Sequence, residues 1–127
     1  MYCFIILIVI QNIWVIKMSK SNNFFKMEML LLKILEEKDC YGYEIVQSIK
    51  KLSNDNIKLQ EGTMYPILYK LEEKNYISSQ RILVGKRLSR VYYHLETKGK
   101  LYLQEIYDDY KNMVTVINNI MEGKNNE

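Results

Sequence analysis

Four basic side chains lie in one acid-free segment of the sequence, and together they could bind a polyanion. No Asp or Glu occurs within residues 76–95, where the basic residues are Arg81, Lys86, Arg87 and Arg90. The whole chain has 18 Lys and Arg residues and 15 Asp and Glu residues. Outside residues 76–95 there are 14 basic residues and 15 acidic ones, so the rest of the chain has no excess of positive charge. All the excess positive charge is therefore local, which is typical of a phosphate-binding surface.

Residues that commonly build catalytic or metal sites are scarce. The 127-residue chain has one histidine, His94, and two cysteines, Cys3 and Cys40, without CxxC spacing. Its five glycines form no Gly-rich phosphate-binding motif. We therefore expect a non-enzymatic protein without cofactor or metal, and the cysteine usage fits a reducing, cytoplasmic location.

The spacing of apolar residues predicts two short amphipathic helices early in the chain. The first begins after Ser21 or Asn22, either of which could cap it, and ends near Glu37. The second covers about Tyr41–Leu52, and Asp39 could cap it.

A third helix and a β-hairpin follow. Thr63 is the predicted N-cap of this helix, with Pro66 in the first turn, where its missing N–H costs least. Asn75 follows the last turn and tolerates the left-handed conformation that ends many helices. The strand-like runs Ile77–Val84 and Arg90–Leu95 are joined by a turn-like segment, which predicts the hairpin.

A final helix, capped by Thr97 and ended by Gly123, carries a coiled-coil pattern. Its apolar residues recur at alternating intervals of three and four, as in the a/d seam of paired helices. We expect a second copy of the chain to cover this seam. Packing on the first helix of the same chain is the alternative, and both can hold together. The seam residues are Leu103, Ile106, Tyr110, Met113, Ile117 and Ile120.

The N-terminus is unusually apolar, with 14 apolar residues among the first 16. This run is shorter than the ~20 residues that cross a bilayer. Three interpretations stay open: a membrane-associating extension, a buried accessory segment, or an untranslated in-frame stretch upstream of Met18. The last is favoured because Met18 begins a polar run, and we expect no membrane partner unless residues 1–16 are genuine.

Three helices followed by a basic hairpin form the element order of a winged helix-turn-helix. A helix fits the major groove of DNA, and a cationic hairpin tip suits the backbone or minor groove. We expect a mainly α fold with a small β-hairpin. Residues 1–17 form the extension, 18–96 the winged-helix DNA-binding domain, and 97–127 a long dimerisation helix with its tail.

Candidate DNA-contacting residues lie on the second helix, the third helix and the hairpin. Of Tyr41 and Tyr43, which flank Gly42, we expect Tyr43 to face the phosphates and Tyr41 to pack. Thr63 could serve as a cap or as a phosphate ligand, and both interpretations stay open. The full candidate set is Tyr43, Thr63, Met64, Tyr65, Tyr69, Lys70, Lys86, Arg87 and Arg90.

Several motifs resemble the PadR family of bacterial transcriptional regulators. The likeness extends over about residues 24–121, and its YGYEI and GTxYP signatures are specific. One departure is Asn75, where the family usually has Gly. The motifs are LLLKIL at 30–35, YGYEI at 41–45, GTMYPIL at 62–68, KLE at 70–72 and RVYYHL at 90–95.

The resemblance implies a homodimeric repressor that binds a palindromic double-stranded DNA operator. The single closing helix is similar to that of the short-tailed branch of the family. Members commonly respond to small aromatic or drug-like molecules and control their own gene or a neighbouring efflux or detoxification gene. Aromatic walls between subunits could hold such an effector, or could form a dimer core without ligand. The candidate effector residues are Phe24, Phe25, Tyr102 and Tyr107.

Two rival interpretations remain from the sequence. A winged helix can serve only to bind another protein, with the heptad helix as its docking site. Residues 1–16 could instead tether a sensor to the membrane. DNA binding separates the first rival from a regulator, and fractionation separates the second.

Overall fold

The computed structural model describes residues 25–123, so the expectations for the apolar extension and for Phe24 lie outside the described residues. None of the helices within 25–123 is long and apolar enough to cross a membrane. The elements in chain order are α1 (Met27–Glu37), β1 (Cys40–Tyr41), α2 (Gly42–Leu52), α3 (Glu61–Glu73), β2 (Ile77–Val84), β3 (Leu88–Leu95) and α4 (Thr97–Met121).

The predicted caps of α1 and α2 are wrong. Helix α1 begins at Met27, with Lys26 at its N-cap rather than Ser21 or Asn22. At α2 the N-cap is Tyr41. Asp39 lies two residues earlier, and its carboxylate contacts Nδ1 of His94 at 2.7 Å instead of capping the helix.

Helix α3 begins at Glu61, and its N-cap is Gln60, three residues before the predicted cap Thr63. Thr63 is therefore the third helical residue, and Pro66 lies in the second turn, where it cannot donate to the carbonyl of residue 62. That carbonyl belongs to an exposed glycine, so water can satisfy it. The predicted end is confirmed, since Asn75 follows α3 with a φ of 64°.

The strands form an antiparallel sheet in the order β1-β3-β2. Strand β3 begins at Leu88 rather than Arg90, because Leu88 pairs with Val84 and shortens the connection to three residues. Gly85 opens this turn with a φ of 80°, a conformation that glycine adopts without strain. The sequence did not predict β1, which pairs two residues with β3.

The core lies where the inner faces of α1, α2 and α3 meet β3 and the start of α4. Each fully buried aliphatic side chain contributes about 1.5–3 kcal/mol relative to an exposed one. Ile45 and Ile49 of α2 are buried, whereas Leu52, which the apolar spacing places on the same side of the helix, is 75% exposed at its end. The fully buried side chains are Leu31, Leu32, Cys40, Ile45, Met64, Leu68, Leu71 and Ile77.

Helix α4 has 25 residues, so it is about 37 Å long and extends beyond the core. Glu96 rather than Thr97 is its N-cap, and Gly123 follows it with a φ of 65°, as predicted. Two residues of the predicted seam, Leu103 and Ile106, are buried in the chain's own core, so the alternative of packing within the chain holds for them and coverage by a second copy does not. Their apolar spacing serves packing within the chain.

Candidate nucleic-acid interface

Helix α3 presents one polar and aromatic face to solvent because its opposite face is anchored in the core. The anchors are Met64, Leu68 and Leu71, which are at most 1% exposed. Met64 was predicted to contact DNA, and that prediction is wrong because the core encloses its side chain. The exposed candidates on this helix are Thr63, Tyr65 (44%), Tyr69 (71%) and Lys70.

The start of α2 lies directly against α3, and a glycine makes this approach possible. A Cβ added at Gly42 would overlap the Tyr65 hydroxyl and would lie 3.0 Å from Cε of Met64. The absence of a side chain at Gly42 thus permits the close approach of the two helices. The contact places Tyr65 of α3 beside the first turn of α2.

Two tyrosines and an arginine continue this surface from α2 to the hairpin. Tyr43 is 57% exposed and stacks on Tyr41, with 6.3 Å between ring centroids, which confirms its outward orientation. The Arg90 guanidinium lies 4.4 Å from the centroid of the Tyr41 ring. This cation–π contact holds Arg90 in place, and the sequence reasoning missed the role of Tyr41 in it.

The hairpin tip carries two exposed cations of the acid-free segment. Lys86 and Arg87 are exposed in the three-residue turn, and neither forms an ion pair with any residue in the range 25–123. Leu83 and Leu88 flank the tip and are 70% and 54% exposed, a feature that sequence reasoning missed. Apolar side chains beside cations are the combination with which many proteins enter the minor groove.

A sequence model described as the transcriptional regulator PadR-like family matches residues 31–105. This chain belongs to that family. Among curated proteins, the PadR-family chain is 33% identical over 97 residues to an uncharacterised protein, protein X, of Lysinibacillus sphaericus. That match covers 76% of this chain and 89% of the relative.

Solved structures confirm the winged-helix fold of this PadR-family regulator. A PadR family transcription regulator from hypervirulent Clostridium difficile is 35% identical with a TM-score of 0.62, over 73% of this chain and 95% of that one. The Bacillus subtilis PadR in complex with operator DNA is 24% identical with a TM-score of 0.58. It matches 62% of this chain and 45% of its own.

Cys40, His94 and Asp39 are of types that often serve in catalysis, and the PadR-family fold shows what surrounds each of them. Cys40 is fully buried, and burial raises the pKa of its thiol, so the protonated and unreactive form is favoured. The exposed His94–Asp39 pair lies on the outer side of the sheet. Among the described residues, no group of three His, Cys, Asp or Glu side chains could hold a metal ion.

The predicted effector residues fall into two separate clusters. Phe25 packs edge-on against Tyr110 at 6.5 Å, and Tyr110 lies nearly parallel to Tyr107 at 6.4 Å. Tyr102 stands apart, since it stacks on Tyr76 with 4.3 Å between centroids. The structure therefore brings Phe25 and Tyr107 together through Tyr110, which also belongs to the predicted helix seam.

Proposed function

We propose that this PadR-family protein is a homodimeric, ligand-responsive repressor. It binds a palindromic operator near its own gene or near an efflux or detoxification gene. The observation that carries the proposal is the continuous surface from Tyr65 on α3, past Tyr43 and Tyr41 at the start of α2, to Arg90 on the hairpin. Three elements of a winged helix thus present aromatic and cationic groups together.

Each part of this surface suits a different part of a DNA duplex. Helix α3 enters the major groove, where Tyr65 and Tyr69 approach base edges and Lys70 approaches a phosphate. Tyr43 donates its hydroxyl to the backbone from the first turn of α2. The hairpin tip lies over the neighbouring backbone or minor groove. The Bacillus subtilis PadR, which shares this fold and was solved in complex with operator DNA, supports a DNA duplex as the partner.

The far half of α4 supplies the dimer contact. Beyond the core, Met113 and Ile117 are half-buried and Ile120 is 72% exposed. Val116 and Met121 are also exposed, at 42% and 78%. Exposed apolar residues on a helix that extends past its own core are stabilised when a second copy covers them. Two subunits would then place their α3 helices ~34–36 Å apart, one turn of DNA.

The aromatic cluster of Phe25, Tyr107 and Tyr110 offers the effector site. Its rings lie on the α1–α4 contact, and the Lys111 ammonium lies 4.6 Å from the centroid of Tyr107. Flat aromatic ligands stack on such rings. An effector weakens operator binding only if it prefers a conformation with a different separation of the two α3 helices.

Selection from random duplex DNA tests the proposal directly. The full chain is incubated with a random duplex pool at low ionic strength, bound sequences are enriched, and the mass of the complex is measured by light scattering. We expect a palindromic motif bound by two chains. A protein that stays monomeric, or that ignores every duplex, contradicts the proposal and favours the protein-docking alternative.

A further inference from the structure

We propose that Tyr76 is a positioning residue that fixes the direction of α3 relative to α4 and thereby sets the half-site spacing of the operator. This inference rests on the proposed function, because spacing has meaning only for a dimer on DNA. Three elements meet at Tyr76, and we call the set of Tyr76, Lys98, Gly99 and Tyr102 the Tyr76 junction. Each of its contacts restricts one way in which α3 could move.

The main chain of Tyr76 is bonded to the last turn of α3. Its amide donates to the Leu71 carbonyl at 3.0 Å, and the amide of Asn75 donates to the Glu72 carbonyl at 3.0 Å. With the positive φ of Asn75, these bonds form a Schellman motif. The end of α3 and Tyr76 therefore move as one unit.

The same residue is bonded to the start of α4. The Tyr76 carbonyl accepts a hydrogen bond from the Glu96 amide at 3.0 Å. Gly99 lies so close that an added Cβ would overlap the carbonyl oxygen of Tyr76 and would come within 3.0 Å of its carbonyl carbon. The Lys98 ammonium also donates to the Lys74 carbonyl at the end of α3, at 3.0 Å. Helix α4 thus packs on backbone atoms, which cannot rotate away as a side chain could.

The ring of Tyr76 extends the junction to α1. It stacks on Tyr102 of α4 with an angle of 1° between the rings. The Tyr102 hydroxyl donates to the Glu28 carboxylate in the first turn of α1, and the Lys26 ammonium donates to that hydroxyl at 3.4 Å. The beginnings of α1 and α4 and the end of α3 are consequently joined through one pair of rings.

A rigid junction here has a consequence for the dimer. Since α4 holds the two subunits together, the angle between α3 and α4 determines how far apart the two α3 helices lie. The aromatic cluster of Phe25 and Tyr110 occupies the same α1–α4 contact. A change in the tilt of α4 at that cluster is transmitted to α3 through the stacked rings of Tyr102 and Tyr76.

The test compares Tyr76→Leu with Tyr76→Phe in the full chain. Affinity is measured by fluorescence anisotropy for a single half-site duplex and for palindromes whose half-sites are moved apart in single base-pair steps. Tyr76→Phe keeps the ring stack and should retain the wild-type profile. Tyr76→Leu should keep half-site affinity and dimer mass, lose about three- to tenfold in affinity at the optimal spacing, and bind other spacings more evenly.

A second pair of variants covers the case in which Tyr76→Leu fails to fold. Lys98→Ala removes the bond to the Lys74 carbonyl from an exposed position, and Lys100→Ala in the same turn is its control. Lys98→Ala should broaden the spacing profile and Lys100→Ala should not. Unchanged profiles in every folded junction variant overturn the inference while leaving the proposed function intact. A wild-type chain that binds no DNA overturns the proposed function instead.

Discussion

At the scale of single residues, Arg90 is an anchored cation of the candidate interface, whereas Lys86 and Arg87 at the hairpin tip are exposed. Arg90 is half-buried and held over the ring of Tyr41, so its position is fixed before any ligand arrives. Lys86 and Arg87 project from a short turn into solvent. An anchored cation can define the register of the protein on a duplex, whereas exposed cations on a turn add attraction that is independent of sequence.

The exposed pair Lys86 and Arg87 gives the first prediction. Replacing Lys86 and Arg87 together with alanine should weaken binding to every duplex by a similar factor. The slope of log affinity against log salt should fall by about 1.8, because each phosphate contact contributes about 0.9. Anisotropy titrations at several salt concentrations measure this slope. The control is Lys33→Ala with Lys100→Ala, and an unchanged slope in the hairpin variant removes the hairpin from the interface.

Tyr102 gives a prediction about alkaline stability. Burial, together with its hydrogen bond to Glu28, raises the pKa of Tyr102 above its usual value of 10.0. The unfolded chain loses this proton near pH 10 and the folded chain retains it, so the contribution is complete below pH 10 and is lost as pH rises. Tyr102→Phe should therefore reduce the fall in unfolding free energy above pH 10 in urea titrations. Tyr69→Phe, which changes an exposed ring, is the control. The prediction is contradicted if the unfolding free energies of Tyr102→Phe and the wild type fall equally above pH 10.

At the scale of elements, two glycines in first helical turns have opposite surroundings. A Cβ at Gly99 in α4 meets the backbone of Tyr76, whereas a Cβ at Gly62 in α3 meets nothing within 4 Å. Gly99→Ala should destabilise the fold by about 1–3 kcal/mol through overpacking. Gly62→Ala should be neutral or stabilise it by up to about 1 kcal/mol. Urea unfolding, monitored by circular dichroism, measures the stability of each variant. Equal effects of the two substitutions would show that the contact between α4 and the backbone of Tyr76 relaxes freely.

The sequence predicted the elements well where local rules act alone. The apolar spacing of α3, the left-handed residue Asn75 and the strand pairing of the hairpin all depend on nearby residues. The caps at Lys26 and Gln60 could not be predicted in this way, because neither side chain forms the capping hydrogen bond that the sequence rule looks for. The two-residue strand β1 is too short to show a pattern of its own.

The candidate site was only partly predictable for a similar reason. Apolar spacing along α4 is the same whether a residue packs in its own core, as Leu103 does, or on another chain. Likewise, composition cannot show that Arg90 is held over Tyr41, because the two residues lie far apart in sequence. Outward orientation of Tyr43 was predictable because Tyr41 and Tyr43 flank a glycine that must face a neighbouring helix.

At the scale of the whole molecule, the proposed dimer depends on the half of α4 that lies beyond the core. Met113→Asp places a charge on the apolar side of this half and should yield monomers that fail on a full palindrome. Asn112→Asp adds the same charge at an exposed neighbouring position and should stay dimeric. Light scattering measures the mass of each variant. A Met113→Asp protein that remains dimeric would refute the assignment of α4 as the dimer contact.

In the proposed mechanism an effector and the operator act on one equilibrium between dimer conformations, and linkage requires that each change the affinity of the other by the same factor. A planar naphthalenesulfonate dye serves as a probe of the aromatic cluster and should bind the wild-type dimer. If it weakens operator binding by some factor, within the ~5–150-fold range typical of allosteric coupling, operator DNA must weaken dye binding by the same factor. Tyr107→Ala should reduce dye affinity without changing operator affinity in the absence of dye, and Tyr69→Ala should do the reverse. Dye binding that is unaffected by Tyr107→Ala would place the ligand elsewhere, and dye binding that leaves operator affinity unchanged would show that the aromatic cluster is not coupled to the DNA-binding surface.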